Sequence, residues 1–329
     1  MSLRRRLGAL FSRRRPKPAI LMYHRIAEPA VDPWGLSVSP ANFRSQLQAL
    51  KRTRTPLSMN AFAEQLAAGT LPTNAIALTF DDGYLDNLRQ AKPLLDEVGV
   101  PATVLVTTGW LGSDRLFWWD ELTRLILLSK GPIAASVTIA GETIAFDLGQ
   151  PDDWEPRRTW RSWDPPRSER EKIYHTLWTK LQRLDDAERE RIVGELGARL
   201  GNAPADDDDR TMDREELATL PSAMVDVGVH AVTHQPLTSM APDKRRREMH
   251  ESRDACEDTV GATMTGFAYP HGDLDSETRD IVAEAGFAWA VTTESRAVPT
   301  GCDPLALPRI MAPDISGEAL LRHIQRESG

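Results

Sequence analysis

Two short segments carry residues that could do chemistry together. Thr79-Phe80-Asp81-Asp82-Gly83 sets two adjacent carboxylates before a glycine, at the end of an apolar run. Adjacent residues leaving a strand point in different directions, so one carboxylate can bind a metal while the other faces a substrate. The plainer alternative is a turn in which one aspartate caps the next helix. His230-Ala231-Val232-Thr233-His234 follows a second apolar run, Met224 to Val229. The spacing of four predicts both imidazoles on one side of a helical turn, near enough to share one ion. Taken alone, such a pair also fits two unrelated polar residues at a strand end. Two histidines and a carboxylate leave coordination positions open for water and substrate, which suits catalysis better than a closed structural site.

The elements that must position these residues read as α/β. Ala19 to His24 is a short apolar run predicting a buried strand that ends at His24 and Arg25. Ser39-Pro40 opens a helix over 40–51, and Asn60 is placed as the N-cap of another to Ala68. Ala75 to Phe80 predicts a strand, Leu85 to Val98 a helix closed by Gly99 in a left-handed conformation, and Pro101 to Thr107 a third strand. That rhythm argues for parallel βαβ units, with catalytic groups at the C-terminal strand ends. It returns as a strand over 224–229, a helix over 242–260, a strand over 266–269, a helix over 276–285 closed by Gly286, and a strand over 287–292. Leu307 to Ile310 and a helix over 316–325 complete it.

Residues 113–212 break the pattern. They hold Phe117-Trp118-Trp119-Asp120, a hairpin about Ala140-Gly141-Glu142, a loop rich in Pro and Trp, two charged helices near 168–184 and 185–200, and the acidic run Asp206 to Asp209. We read this block as an insertion into one domain spanning 18–329, after a basic tail over 1–17. A formal net charge of −8 gives the body no general attraction for nucleic acid. Two cysteines, Cys256 and Cys302, allow at most one disulfide and suit a reducing compartment. The apolar stretch Leu7 to Phe11 is short and closed by arginines, unlike a secretory signal. No stretch approaches the roughly 20 apolar residues of a membrane span. The expected location is cytoplasmic, with the basic tail available for a weak peripheral contact to anionic lipid at the inner face of the membrane.

Taken with Phe267-Ala268-Tyr269-Pro270-His271-Gly272 and the early Ile20-Leu21-Met22-Tyr23-His24-Arg25-Ile26, the two chemical segments resemble the polysaccharide deacetylases of the NodB-homology class, carbohydrate esterase family four. The resemblance covers roughly residues 18–110 and 213–312. It implies a distorted (β/α) barrel of about seven parallel strands and a metal site that cleaves an acetamide. Carried over position by position, it implies Asp81 as general base and Asp82, His230 and His234 as ligands of a divalent metal, zinc before cobalt, nickel or iron. A backbone N–H near His271 would help to hold the oxyanion. Tyr269, Pro270 and Trp118 are the expected substrate contacts.

The chain departs from the family pattern in two places. Ala268 stands where many members carry an arginine that orients the base. The segment Leu321-Arg322-His323, the nearest match to the family's acid histidine, falls in the predicted terminal helix. His24 and His271 are therefore the candidates for the acid that protonates the departing amine. The expected activity is N-deacetylation of an N-acetylhexosamine-containing glycan or its precursor. The alternatives are an amide or formamide hydrolase acting on a small non-sugar substrate, and a non-catalytic glycan-binding member of the fold.

Overall fold

The computed structural model describes residues 15–113, 115–129, 134–149, 159–201 and 209–328. The tail from Met1 to Arg14, Trp154, and Asp206 to Asp208 lie outside the described residues.

In chain order the elements are β1 (Ala19–Tyr23), α1 (Pro40–Thr53), β2 (Thr55–Pro56), α2 (Met59–Ala67), β3 (Ala75–Phe80), α3 (Lys92–Val98), β4 (Ala102–Val106), α4 (Trp118–Leu122), β5 (Ala134–Ile139), β6 (Glu142–Asp147), α5 (Glu169–Leu181), α6 (Asp186–Leu200), α7 (Arg214–Thr219), β7 (Val225–Val229), α8 (Pro242–Val260), β8 (Gly266–Ala268), α9 (Ser276–Glu284), β9 (Trp289–Val291), β10 (Ile310–Met311) and α10 (Gly317–Glu327). Seven strands form a curled, half-barrel parallel sheet in the order β10-β1-β3-β4-β7-β8-β9, with β2 beside the start of β3.

β1, β3 and β4 are buried at every residue, as expected of strands covered on both faces. Their side chains divide between two cores. Leu21, Tyr23, Leu78, Phe80, Val104 and Val106 pack outward under the helices. Ile20, Ala75, Ala77 and Leu105 join Trp289 and Leu307 in a second cluster on the opposite face. Each large apolar side chain so buried contributes about 1.5–3 kcal/mol.

The inserted elements have an apolar cluster of their own. The hairpin β5–β6 turns through Ala140 and Gly141, with φ of 49° and 82°, the backbone of a two-residue hairpin loop. Val137, Ile139 and Phe146 from the hairpin meet Tyr174, Leu177, Ile192 and Leu196 from α5 and α6, and this cluster continues into Phe117, Trp118 and Trp119.

Several local expectations change. The predicted helix from Leu85 to Val98 contains a π-helical turn over Asn87–Ala91, where Lys92 N–H donates to Asn87 O. Pro93 follows at once, and its missing N–H and bulky ring disfavour a regular turn there. α2 is capped by Ser58, not Asn60. The Asn60 amide oxygen instead accepts from Thr265 Oγ1 and Trp289 Nε1, tying the helix to the far side of the sheet. Arg245 is drawn out of the charged face of α8. It is buried and bonds Asp275, Thr278 and two carbonyls. Cys256 and Cys302 are both free thiols.

Candidate functional site

β3 delivers Asp81 and Asp82 to the C-terminal rim of the sheet, as the run Ala75–Phe80 requires. Asp82 has φ 76° and Gly83 φ 79°, so the chain doubles sharply there. A Cβ on Gly83 would sit 3.1 Å from Val106 Cγ1, so glycine lets this turn pack directly on β4. β7 delivers His230, whose N–H donates to Val106 O at 2.9 Å. His230 to His234 is not the helical turn expected. Ala231 and His234 have φ of 63° and 54°, and this irregular bend, not a helical period, turns the two rings toward one another. Of the five non-glycine residues with positive φ among the described residues, four are Asp82, Ala231, His234 and His271. Backbone strain is concentrated where side chains converge.

Glu248 on α8 holds the bend. Its Oε2 accepts from the N–H groups of Val232 and Thr233, and its Oε1 from Thr233 Oγ1, all at 2.9 Å. Nothing in the sequence reading marked it. A lone glutamate in a helix of alternating charges resembles any solvated residue.

The two imidazoles and Asp82 meet. His234 Nε2 lies 3.3 Å and His230 Nε2 3.7 Å from Asp82 Oδ1, and the candidate ligand atoms lie within 4.8 Å of one another. His230 Nδ1 lies 2.8 Å from Ala268 O. A carbonyl only accepts, so Nδ1 carries the proton and the Nε2 lone pair faces Asp82. Asp82 is 1% exposed, and its Oδ1 has no hydrogen-bond partner. Burial first, then Asp81 and Asp120, push its carboxyl well above the ordinary range. Burial lowers both His230 and His234, so the rings are neutral donors. A buried carboxylate with an orphaned oxygen beside two neutral imidazole nitrogens lacks a positive charge, and a divalent cation fits that donor set.

Asp81, whose Oδ2 lies 4.0 Å from His230 Nε2, is gripped by Arg309. Nη1 reaches Oδ1 at 2.6 Å and Nη2 reaches Oδ2 at 2.7 Å. Arg309 Nη1 also donates to Thr79 Oγ1 and Nε to Thr292 O, so its plane is fixed. Burial alone would raise the Asp81 carboxyl. Arg309, with help from His230 and His24, overcomes this and holds it at about 2. The arginine missing at position 268 thus has a counterpart just before β10, while Ala268 serves through its carbonyl.

The site opens into a cleft of about 870 Å³, mouth included, walled by Met22, Met311 and four tryptophans, Trp34, Trp118, Trp119 and Trp178. His24, His271 and Thr293 also line it. His24 is half-buried with an unpartnered Nδ1. Burial lowers its pKa to about 4, against the pull of Asp81. His271 is exposed at the rim, its ring 4.6 Å from that of His234. Gly272 allows its placement, since a Cβ there would lie 2.2 Å from Thr293 Oγ1. Of the three expected substrate contacts, Trp118 lines the cleft. Tyr269 does not, because its ring packs on Phe267 and its hydroxyl donates to Leu305 O. Pro270 is buried at the start of the following turn and is also outside the lining. His323 lies with Nε2 3.0 Å from Met311 O, likewise outside the lining.

The family model for polysaccharide deacetylase matches residues 68–127 and 200–290, stepping over much of the inserted block. YxkH of Bacillus subtilis (strain 168), a protein named for that family, is 25% identical over 112 residues, or 34% of this chain and 40% of its own length. The chain thus spans less than half of that curated relative. Among solved structures, the Streptococcus pyogenes deacetylase PplD in complex with acetate superposes with a TM-score of 0.59 at 20% identity, over 94% of this chain and 99% of that one. IcaB from Ammonifex degensii does so with a TM-score of 0.54 at 16% identity, over 95% and 98%. These structural likenesses concern the fold. The family-model match and the curated relative liken the chain to the polysaccharide deacetylase family over those segments.

Proposed function

We propose that the protein is a metal-dependent hydrolase that removes N-acetyl groups from an N-acetylhexosamine-containing glycan or glycan precursor. The observation that carries this reading is the convergence of Asp82, His230 and His234 beside a separately anchored Asp81, at the floor of an aromatic cleft. The three convergent residues would hold the metal, with zinc the first choice for two imidazoles and a carboxylate. When bound there, the metal supplies positive charge that polarises an amide carbonyl and acidifies water.

The chain's own groups do the rest. Asp81 stays ionised at neutral pH and takes the proton of the attacking water. Arg309 fixes the direction of that carboxylate. The tryptophan walls exclude bulk water, and the partly exposed Trp34 and Trp178 offer apolar surface to a pyranose ring. His24 lines the cleft and rests neutral, so it is the residue we assign to take up a proton released during water attack and pass it to the departing amine, with His271 at the rim the second candidate. No helix among the described residues is long and apolar enough to cross a membrane. The basic residues from Arg4 to Lys17 suit a peripheral contact with anionic lipid on the cytoplasmic side, which completes the proposal.

A screen for acetate release across N-acetylated sugars, with zinc, cobalt, nickel or iron added in turn, tests the reading. Release that requires one of these metals is expected. Amide cleavage confined to small non-sugar substrates, or glycan binding with no acetate released under any metal, would replace it with one of the alternatives.

A further inference from the structure

A strip of indole rings leads out of the cleft. Trp119 lies 4.9 Å from the His234 ring and Trp118 crosses it edge-on at 5.8 Å. Trp178 follows at 5.8 Å from Trp118, Trp34 at 4.1 Å from Trp178, and Trp163 at 6.5 Å from Trp34. The first four line the cleft. Trp163 lies beyond them and is 64% exposed, the one large hydrophobic side chain so placed among the described residues.

This exposure is not looseness. The turn carrying Trp163 is closed by Asp164 N–H to Arg161 O at 2.9 Å and by Arg161 N–H to Asp164 Oδ2 at 3.3 Å. It is tied to the loop that carries Trp34 by Ser162 N–H to Pro33 O at 2.7 Å and Arg161 Nη1 to Asp32 O at 2.8 Å. A fixed turn therefore holds an indole out in water beside the outermost ring of the cleft.

We propose that Trp163 is a distal sugar subsite, and that a glycan several units long runs from the Asp82–His230–His234 centre along the tryptophan strip to reach it. The proposal rests on the deacetylase reading of the cleft and adds the length class of the substrate. A pyranose presents an apolar C–H face to an aromatic ring while its hydroxyls stay in water, so one exposed indole face suits it. Arg161 and Asp164, on the same turn, supply polar groups close to the ring in sequence. An alkyl chain gains most where aromatic surface encloses it, and that enclosure ends at Trp34.

The test compares β-1,4- and β-1,6-linked N-acetylglucosamine oligomers with the monomer, for wild type, Trp163→Ala and Trp163→Tyr. Acetate release and tryptophan-fluorescence titration are both read on full-length, metal-loaded protein. For wild type, kcat/KM and affinity should rise with chain length in at least one linkage. Trp163→Ala should lower both by about 3- to 10-fold for the pentamer, the range expected of one stacking contact. It should leave the monomer unchanged, and Trp163→Tyr should restore most of the loss. Acetate release from monomer and pentamer at equal efficiency, or a Trp163→Ala variant that keeps the full length preference, overturns the subsite and leaves the hydrolase reading standing. Length-dependent, Trp163-dependent binding with no acetate release does the reverse. Loss of binding to anionic lipid vesicles in Trp163→Ala, with oligomer binding intact, would assign the ring to a membrane instead.

Discussion

Arg309 and Asp81 face each other as a fork on a carboxylate, with both N–O contacts at 2.6–2.7 Å and neither group open to solvent. Such a pair fixes direction as well as charge. Removing one partner strands the other as a buried charge, which typically destabilises by about 3–5 kcal/mol. Arg309→Met should therefore lower the denaturation midpoint strongly and reduce kcat far more than it raises KM. Arg309→Lys keeps a charge but not the fork, and should recover stability better than turnover. Urea melts and steady-state kinetics on the two variants check this, and an Arg309→Met protein with an unchanged midpoint would contradict it.

Asp81→Asn should retain the metal and lose about 10²- to 10⁴-fold in kcat, the span of a general base. His24→Gln should lower kcat within the same span if it supplies the amine's proton, and His271→Gln should lower it less. Metal content measured beside turnover separates a lost base from a lost ligand. Normal turnover in Asp81→Asn would remove the base from the account.

The convergence of the candidate residues was legible in the sequence because Asp81, Asp82 and His230 directly follow apolar runs. β3 and β7 could be read as buried strands, and parallel strands bring their C-terminal ends to one rim. The mode of convergence was not legible. The bend at Ala231 and His234 depends on positive φ at non-glycine residues, which residue type does not announce, and on Glu248 from α8. Arg309 was hidden for another reason. It lies 228 residues from Asp81, in a plain Leu-Pro-Arg-Ile stretch, and the family pattern directs attention to Ala268. Tyr269 lies outside the cleft because strand alternation turns its side chain under the helices, toward Phe267 and the Leu305 carbonyl.

Asp82 burdens the metal-free protein, since its Oδ1 is buried without a partner. Zinc at a thousand times its Kd should add about 4 kcal/mol of stability to the wild type. Asp82→Asn keeps the shape, tolerates the left-handed backbone and loses the charge. It should melt no lower than metal-free wild type and show little response to zinc. Melting curves with zinc and with chelator check both statements. A large zinc-induced shift in the variant would show that the carboxylate is not a ligand.

Asp120 gives the fold a pH dependence. Burial raises its carboxyl to about 7, although Arg25 and the Tyr84 hydroxyl pull the other way. In the unfolded chain an aspartate titrates near 4. The folded state therefore binds the proton more tightly. The stability this group contributes is complete below about pH 4 and is lost as pH rises through about 7. Asp120→Asn should gain on wild type progressively between pH 5 and pH 8, as read by urea melts at several pH values. A constant difference across that window would contradict the assignment.

The most direct test of the central claim counts metal and acetate on the same samples. Wild type, Asp82→Asn and His230→Ala are each assayed for bound zinc and for acetate released from an N-acetylglucosamine oligomer, before and after chelation. The account predicts that wild-type acetate release rises and falls with its bound metal, and that both variants lose the two together. Undiminished acetate release from stripped wild type, or full zinc content in either variant, would contradict it.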